Sequence, residues 1–286
     1  MKRTSLTVLA MIILSGALLP ATAAEGAMSG EPRFNEDDWK ELRELMESGG
    51  AAAVVEHILA VEDPEERRAL FLFAHQGFAY QDWEGKNLDD LATVVQAGID
   101  EFLAQAEAAG NADVRAKLID GANIEAYNLA ADLAPCWPGD ELPREDRHHA
   151  MGVELGERML SWREELEKGP DAFSMAYWAL GVHQLFLGEA EAAAASFQSA
   201  VDYAARAARE GDRTAECVSG GDFSVVLNTG YRGLALSAAG DDAGRGLYDQ
   251  ALAAFEGTIA DYPEQADDAR FGIDQLHKVA TGLGLE

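Results

Sequence analysis

Residues Tyr177–Tyr203 read YWALGVHQLFLGEAEAAAASFQSAVDY, and this stretch decides the fold. Tyr177, Leu180, Gly181 and Gln184 recur at i, i+3, i+4 and i+7, one face of a 3.6-residue period. Gly181 has no side chain, so a second backbone can approach closely there. Leu187-Gly188 predicts the end of that helix, with Gly as the stop. A second helix follows at once and carries Ala193, Phe197 and Ala200 on one stripe. A ring between two small residues is the profile of a knob that enters a hole on the neighbouring helix.

Working outward, Gln250 to Pro263 repeats the arrangement: Ala251, Phe255 and Thr258 form the same stripe, and Pro263 closes it. Its partner helix is expected over Phe223 to Ala239, with Gly233 as the close-approach residue and Gly240 as the stop. Phe197 and Phe255 lie 58 residues apart, against about 34 for one simple helix-hairpin repeat. The excess is assigned to the connection from Glu210 to Gly221 and to a widened acidic turn from Asp241 to Gly246. Over roughly residues 171–263 the pattern resembles a tetratricopeptide repeat, carried by Tyr177, Leu180-Gly181, Gln184, Gly188, Ala193, Phe197 and Ala200. One departure is the closing Pro, which the first copy lacks; Ala205 stands near its place. The resemblance implies stacked antiparallel helix hairpins that build a right-handed α-solenoid. It also implies a concave surface lined by the first helix of each pair.

The rest of the chain fits an all-α fold. Ala, Glu, Leu and Gln dominate, and no run alternates β-branched with polar residues. About eleven helices are expected. Asn35 opens the first, with Asp38 at the reciprocal capping position and Phe34 placed to staple onto Trp39. Gly49-Gly50 breaks it. Asp63-Pro64-Glu65-Glu66 starts a helix running to about Trp83, with a cap, a first-turn Pro and first-turn acids. Asn87 or Asp89 opens the next. Pro135 to Pro143 is a loop, Arg144 to Lys168 a long helix, and a last helix from Gln265 with Arg270, Asp274 and Lys278 on one side suits a cap on the stack.

Residues 1–24 read as a secretory signal peptide: Lys2 and Arg3, an apolar run from Leu6 to Leu19, then Ala21-Thr22-Ala23. Residues 25–34 are then a flexible tail, and 35–286 a single repeat domain. No Cys lies near the cleavage site, so a lipid anchor is not expected, and the mature protein is expected in a periplasm or secreted. The formal charge is −29, and removal of Lys2 and Arg3 without any acid makes it −31. Such a surface excludes nucleic acid and anionic lipid as partners, because phosphate contacts need Lys and Arg. Solubility, including adaptation to salt, accounts for the acid; a basic partner would exploit it.

The two cysteines, Cys136 and Cys217, leave their state open. An even pair in an oxidising compartment favours a disulfide. Against it, Cys136 follows the fifth expected helix and Cys217 the eighth, which puts the two turns at opposite ends of an up-and-down stack.

No catalytic motif is found: no nucleophile elbow, no phosphate loop and no zinc-protease helix. The sequence therefore predicts no cofactor and no metal. Glu145-Asp146-Arg147-His148-His149 contains one Glu-x-x-His, which an ion pair on a solvated face explains as well as a metal site does. His57, His75 and His183 are isolated on amphipathic helices. The concave surface that the resemblance implies would carry His75, Gln76, Tyr80 and Trp83, then Asn123, Tyr127 and Asn128. Trp178 and Gln184 follow, then Asn228, Tyr231 and Arg232, with Trp137 on the proline-rich loop. Rings beside amides suit a peptide, the rings giving area and the amides pairing with its backbone. Helix packing is the competing use for each ring. Trp178 has apolar neighbours, Met175, Val182 and Leu185, that another segment could cover. The expected function is a non-catalytic exported scaffold binding a protein or peptide. The alternatives are a transporter accessory that binds a small ligand, as some tetratricopeptide-like periplasmic proteins do, and a metal-dependent enzyme using the His148-His149 region.

Overall fold

The computed structural model describes residues 33–285. The expected signal peptide and all but the last two residues of the expected tail lie outside the described residues. Ten α-helices account for the described chain, and it contains no strand: α1 Glu36–Leu59, α2 Pro64–Tyr80, α3 Leu88–Ala108, α4 Ala112–Leu133, α5 Asp146–Glu165, α6 Pro170–Phe186, α7 Ala190–Glu210, α8 Phe223–Ala238, α9 Ala243–Asp261 and α10 Ala266–Leu283. Consecutive helices pack side by side, α6 against α7 most closely. The even-numbered helices also touch one another, α4 to α6, α6 to α8 and α8 to α10. At the N-terminal end α1 also packs on α3. The result is an all-α, solenoid-like stack in which the even-numbered helices form an inner layer from α4 to α10.

The expected eleventh helix is the second half of α1. Gly50 breaks α1 with φ 69° and ψ −170°, and the two halves fold back far enough to bring His57 within 3.9 Å of Glu41. Asn35 and Asp38 make the expected reciprocal cap: Asn35 Oδ1 accepts from Asp37 N–H, and Asp38 Oδ2 accepts from Asn35 N–H, both at 2.7 Å. The expected staple does not form. Phe34 packs on Phe73 of α2, ring centroids 5.1 Å apart, while Trp39 turns to Phe78 and Trp83. Contact with a neighbouring helix outbids the local one.

The pair α6–α7 follows its sequence signature. A Cβ on Gly181 would lie 2.9 Å from the Phe197 ring, so the ring fills the space that the missing side chain leaves. Phe197, Ala193 and Ala200 are fully buried, and Phe197 stacks on Tyr231 of α8 at 5.2 Å. The turn after α6 is repeated after α8. Gly188 and Gly240 take φ of 79° and 80°, and the following N–H returns to a carbonyl five residues back in each: Glu189 to Gln184 and Asp241 to Leu236, both 2.9 Å. One expectation fails here. The Asp241 to Gly246 segment is not a wide turn, because α9 begins at Ala243. Asp241 Oδ1 accepts from Ala243 N–H at 2.9 Å, and Gly244 sits so near α8 that a Cβ would be 2.4 Å from Ser237 N. Close packing, not turn chemistry, uses that glycine.

Phe197→Ala should cost about 3–5 kcal/mol, the usual cost of truncating a buried Phe. Urea unfolding followed by helical circular dichroism measures it, with the midpoint falling and the slope unchanged.

Candidate functional site

The structure divides the side chains that the sequence singled out between a polar knot on α2 and α4, a second on α3 and α5, and a filled aromatic seam of the inner layer.

The first knot centres on His75 of α2. It is buried, and both ring nitrogens face carboxylates of α4: Nδ1 lies 2.7 Å from Glu125 Oε2, and Nε2 lies 2.8 Å from Asp132 Oδ2. Asn128 donates to the other Glu125 oxygen at 3.2 Å, and the Tyr80 hydroxyl donates to the other Asp132 oxygen at 3.3 Å. Burial alone would lower the His75 pKa, but Glu125 and Asp132 override it and raise the pKa to about 10. His75 is therefore an imidazolium at neutral pH, held by two carboxylates. A ring with both nitrogens engaged has no lone pair with which to take a proton or a metal. Glu125 and Asp132 were not foreseen as site residues, yet the signal was there. Ala122, Glu125 and Leu129 lie at helical spacing on the stripe that α4 buries, and an acid on a buried stripe demands a cation.

The second knot joins α3 and α5. His148 Nδ1 accepts from Glu145 N–H at 3.0 Å, so its Nε2–H is the proton donated to Asp89, also at 3.0 Å. Arg147 grips Asp89 at 2.9 and 2.8 Å and also binds Glu145. Arg147 and His148 hold the Asp89 carboxyl well below the usual carboxylate range. His149 points elsewhere. Its Nδ1 meets His183 Nδ1 at 3.2 Å, and His183 Nε2 donates to the Ala130 carbonyl at 2.8 Å. His183 Nδ1 is thus the acceptor and His149 Nδ1 the donor. Burial depresses both, His149 to about 4 and His183 to about 3, so both are neutral at pH 7. His148 and His149 are adjacent in sequence but serve separate networks. Among the described residues no three His, Cys, Asp or Glu side chains are grouped so as to hold a metal ion.

Between and beyond the knots the seam is filled. The α4–α5 loop crosses the inner layer from α4 to α10. Trp137 donates its indole N–H to the Ala131 carbonyl at 2.6 Å and packs against Trp178 of α6 and Phe271 of α10 at 5.9 and 6.2 Å. Lys278 of α10 donates to the Trp137 carbonyl at 2.7 Å and to that of Asp140. Arg144 ties the base of the loop together, donating to the carbonyls of Asp132 at 2.8 Å and Leu142 at 2.7 Å and to the Asp140 carboxylate. Lys278 therefore points inward to pin a loop, where the sequence suggested an outer cap face.

The other expected groove residues belong to this packing. Tyr127 lies beside Trp178 at 6.3 Å and beneath Arg163. Asn123 accepts from Arg163 Nε at 2.8 Å. Asn228 donates to Ser174 Oγ at 3.3 Å, and Tyr231 is wholly buried. Trp83 packs with Trp39 and Phe78. Gln184 accepts from Ser196 Oγ at 2.7 Å. Arg232 is half-buried on α8, and Gln76 and Tyr80 remain exposed.

Cys136 and Cys217 are free thiols. Cys136 interacts with Tyr231 and Cys217 with Thr229, residues two apart on α8 and so about 200° apart around its axis. The partners of the two thiols thus lie on different sides of α8, and the structure holds both cysteines unbonded. No protein-family profile, curated protein or solved structure matches the chain.

The His75 knot sets a pH dependence. Its folded pKa lies above the ordinary 6.5, so its stabilisation is complete below pH 6.5 and is lost as the pH rises toward about 10. Wild-type stability should fall over that window. His75→Gln should lose about 3–5 kcal/mol at pH 6, because the buried Glu125 and the half-buried Asp132 lose their cation, and should show a flatter profile above pH 6.5. Urea titrations at a series of pH values check both.

Proposed function

We propose that this chain is an exported, non-catalytic scaffold of tetratricopeptide-like design that binds a protein partner. The observation that carries the proposal is the engagement of the inner face. Its acid–base side chains are bound to one another, with both nitrogens of His75 on carboxylates and His183 relaying His149 to a backbone carbonyl. Its aromatic seam is occupied by the α4–α5 loop. Chemistry of the general acid–base kind needs a group free to exchange a proton with substrate, and these groups are committed to holding the fold. Successive hairpins with two copies of one turn support the repeat-type design, and the acidic surface supports a partner that brings Lys and Arg. The expected leader supports action outside the cytoplasm. No helix among the described residues is long and apolar enough to cross a membrane.

A second reading, a transport accessory with a small ligand, is favoured by one atom. Asn228 Oδ1 is buried in the α6–α8 seam without a hydrogen-bond partner among the described residues, and a small polar guest would supply a donor.

Both readings meet one experiment. The tagged full chain, expressed in the cells that encode it and isolated after chemical cross-linking, should begin near Glu25 by intact mass and carry one protein in fixed proportion. A native mass that shows only a bound small molecule, with no cross-linked protein, would replace the scaffold reading with the second one.

A further inference from the structure

The odd-numbered helices at the N-terminal end carry open apolar ground that the filled seam lacks. Two hollows, of about 650 and 440 Å³, meet along α3 and share Thr93 and Ala97 in their walls. The first lies between α3 and the second half of α1, whose Ala52, Val55, Glu56 and Leu59 fall at i, i+3, i+4 and i+7. The second continues across α3 to Met151 on α5. Leu59 is 48% exposed, one of five large apolar side chains left in water among the described residues. Two antiparallel-type helix faces with small floors and one large exposed anchor form a seat for a third helix.

Charge selects the guest. Glu56 and Asp100 are exposed on the walls of the hollows, and Asp100 is oriented by a 2.8 Å bond from Gln96. The one cation among the lining residues, Arg147, is bound to Asp89 and Glu145. A second copy of this chain would bring the same acids against them at a net charge of −29 each. We infer that the α1–α3–α5 groove docks an amphipathic helix of a basic partner. Its apolar stripe lies over Val55, Leu59 and Ala97, and its Lys or Arg residues face Glu56 and Asp100. This inference rests on the scaffold reading and deepens it by naming the surface and the chemistry of the partner.

The test uses the full mature chain and a fluorescein-labelled 14-residue Leu/Lys amphipathic helix, with the matching Leu/Glu helix as control. Fluorescence anisotropy should show binding of the Leu/Lys helix only, weakening with added salt. Leu59→Glu adds negative charge yet removes the apolar anchor, and should weaken binding roughly tenfold, the effect of losing one anchor residue. The pair Glu56→Gln with Asp100→Gln should weaken it and flatten the salt dependence. All three positions are exposed, so melting curves of the variants should match the wild type. Unchanged affinity in Leu59→Glu would mean attraction to bulk acid alone and would overturn the groove. A concentration-dependent dimer that Leu59→Glu dissolves would assign the groove to a second copy. A gain in affinity on removing residues 25–32 would assign it to the chain's own tail. Either result overturns the inference. If the peptide does not bind while a cross-linked protein partner is still recovered, the groove falls and the scaffold stands; if neither appears, both fall.

Discussion

Every helix among the described residues has a buried stripe, and the helix next to it in sequence packs against it. The contact between Gly181 and Phe197 shows the constraint at its tightest. A ring occupies the place of a missing Cβ, so Phe197 of α7 lies directly on the α6 backbone, where the sequence suggested the approach of a second backbone. The same ring stacks on Tyr231, so one side chain ties a hairpin together and joins it to the next. Gly272 under Phe255 repeats the device between α9 and α10. A stack built this way needs no long-range pairing to choose its topology, and short turns do the rest.

The inner face is where the local rule stops and a distant one begins. The even-numbered helices present more apolar and aromatic surface than they can cover among themselves. The α4–α5 loop closes it, anchored at its own base by Arg144 and at the far end by Lys278. The charged groups that remain are bound inside the protein: His75 is balanced by two carboxylates, and Arg163 donates to Asn123 and to the carbonyl of Ala172. A face so fully engaged is a core. Open apolar ground lies elsewhere, along α1, α3 and α5, with Glu56 and Asp100 exposed on its walls.

These differences of scale decide what the sequence made legible. The Gly181–Phe197 pairing, the stops at Gly188 and Gly240, the break at Gly50 and the Asn35 cap all depend on residues within one hairpin or one turn, and each could be read from spacing alone. Trp137 and Lys278 are 141 residues apart, and no periodicity encodes their contact. Trp137, Tyr127 and Tyr231 were therefore as compatible with a groove as with a core, although the apolar company of Trp178 did point to a covering segment. His75 looked isolated because its partners lie on another helix. Glu125, an acid on a buried stripe, was the one clue to them. The Asp241–Gly246 stretch looked like a turn by composition, but tertiary packing of Gly244 against α8 made it helix.

The α4–α5 loop closes the inner face, and its own Cys136 reports on that closure. The thiol belongs to the loop and is fully buried, and burial pushes its pKa up to about 12, while Cys217 is partly exposed. The thiolate is the reactive form. Labelling the mature native protein with a thiol reagent at pH 8, followed by peptide mapping, should modify Cys217 while leaving Cys136 untouched until urea unfolds the chain. Modification of Cys136 in the native state as fast as Cys217, or no free thiol at all, would contradict it.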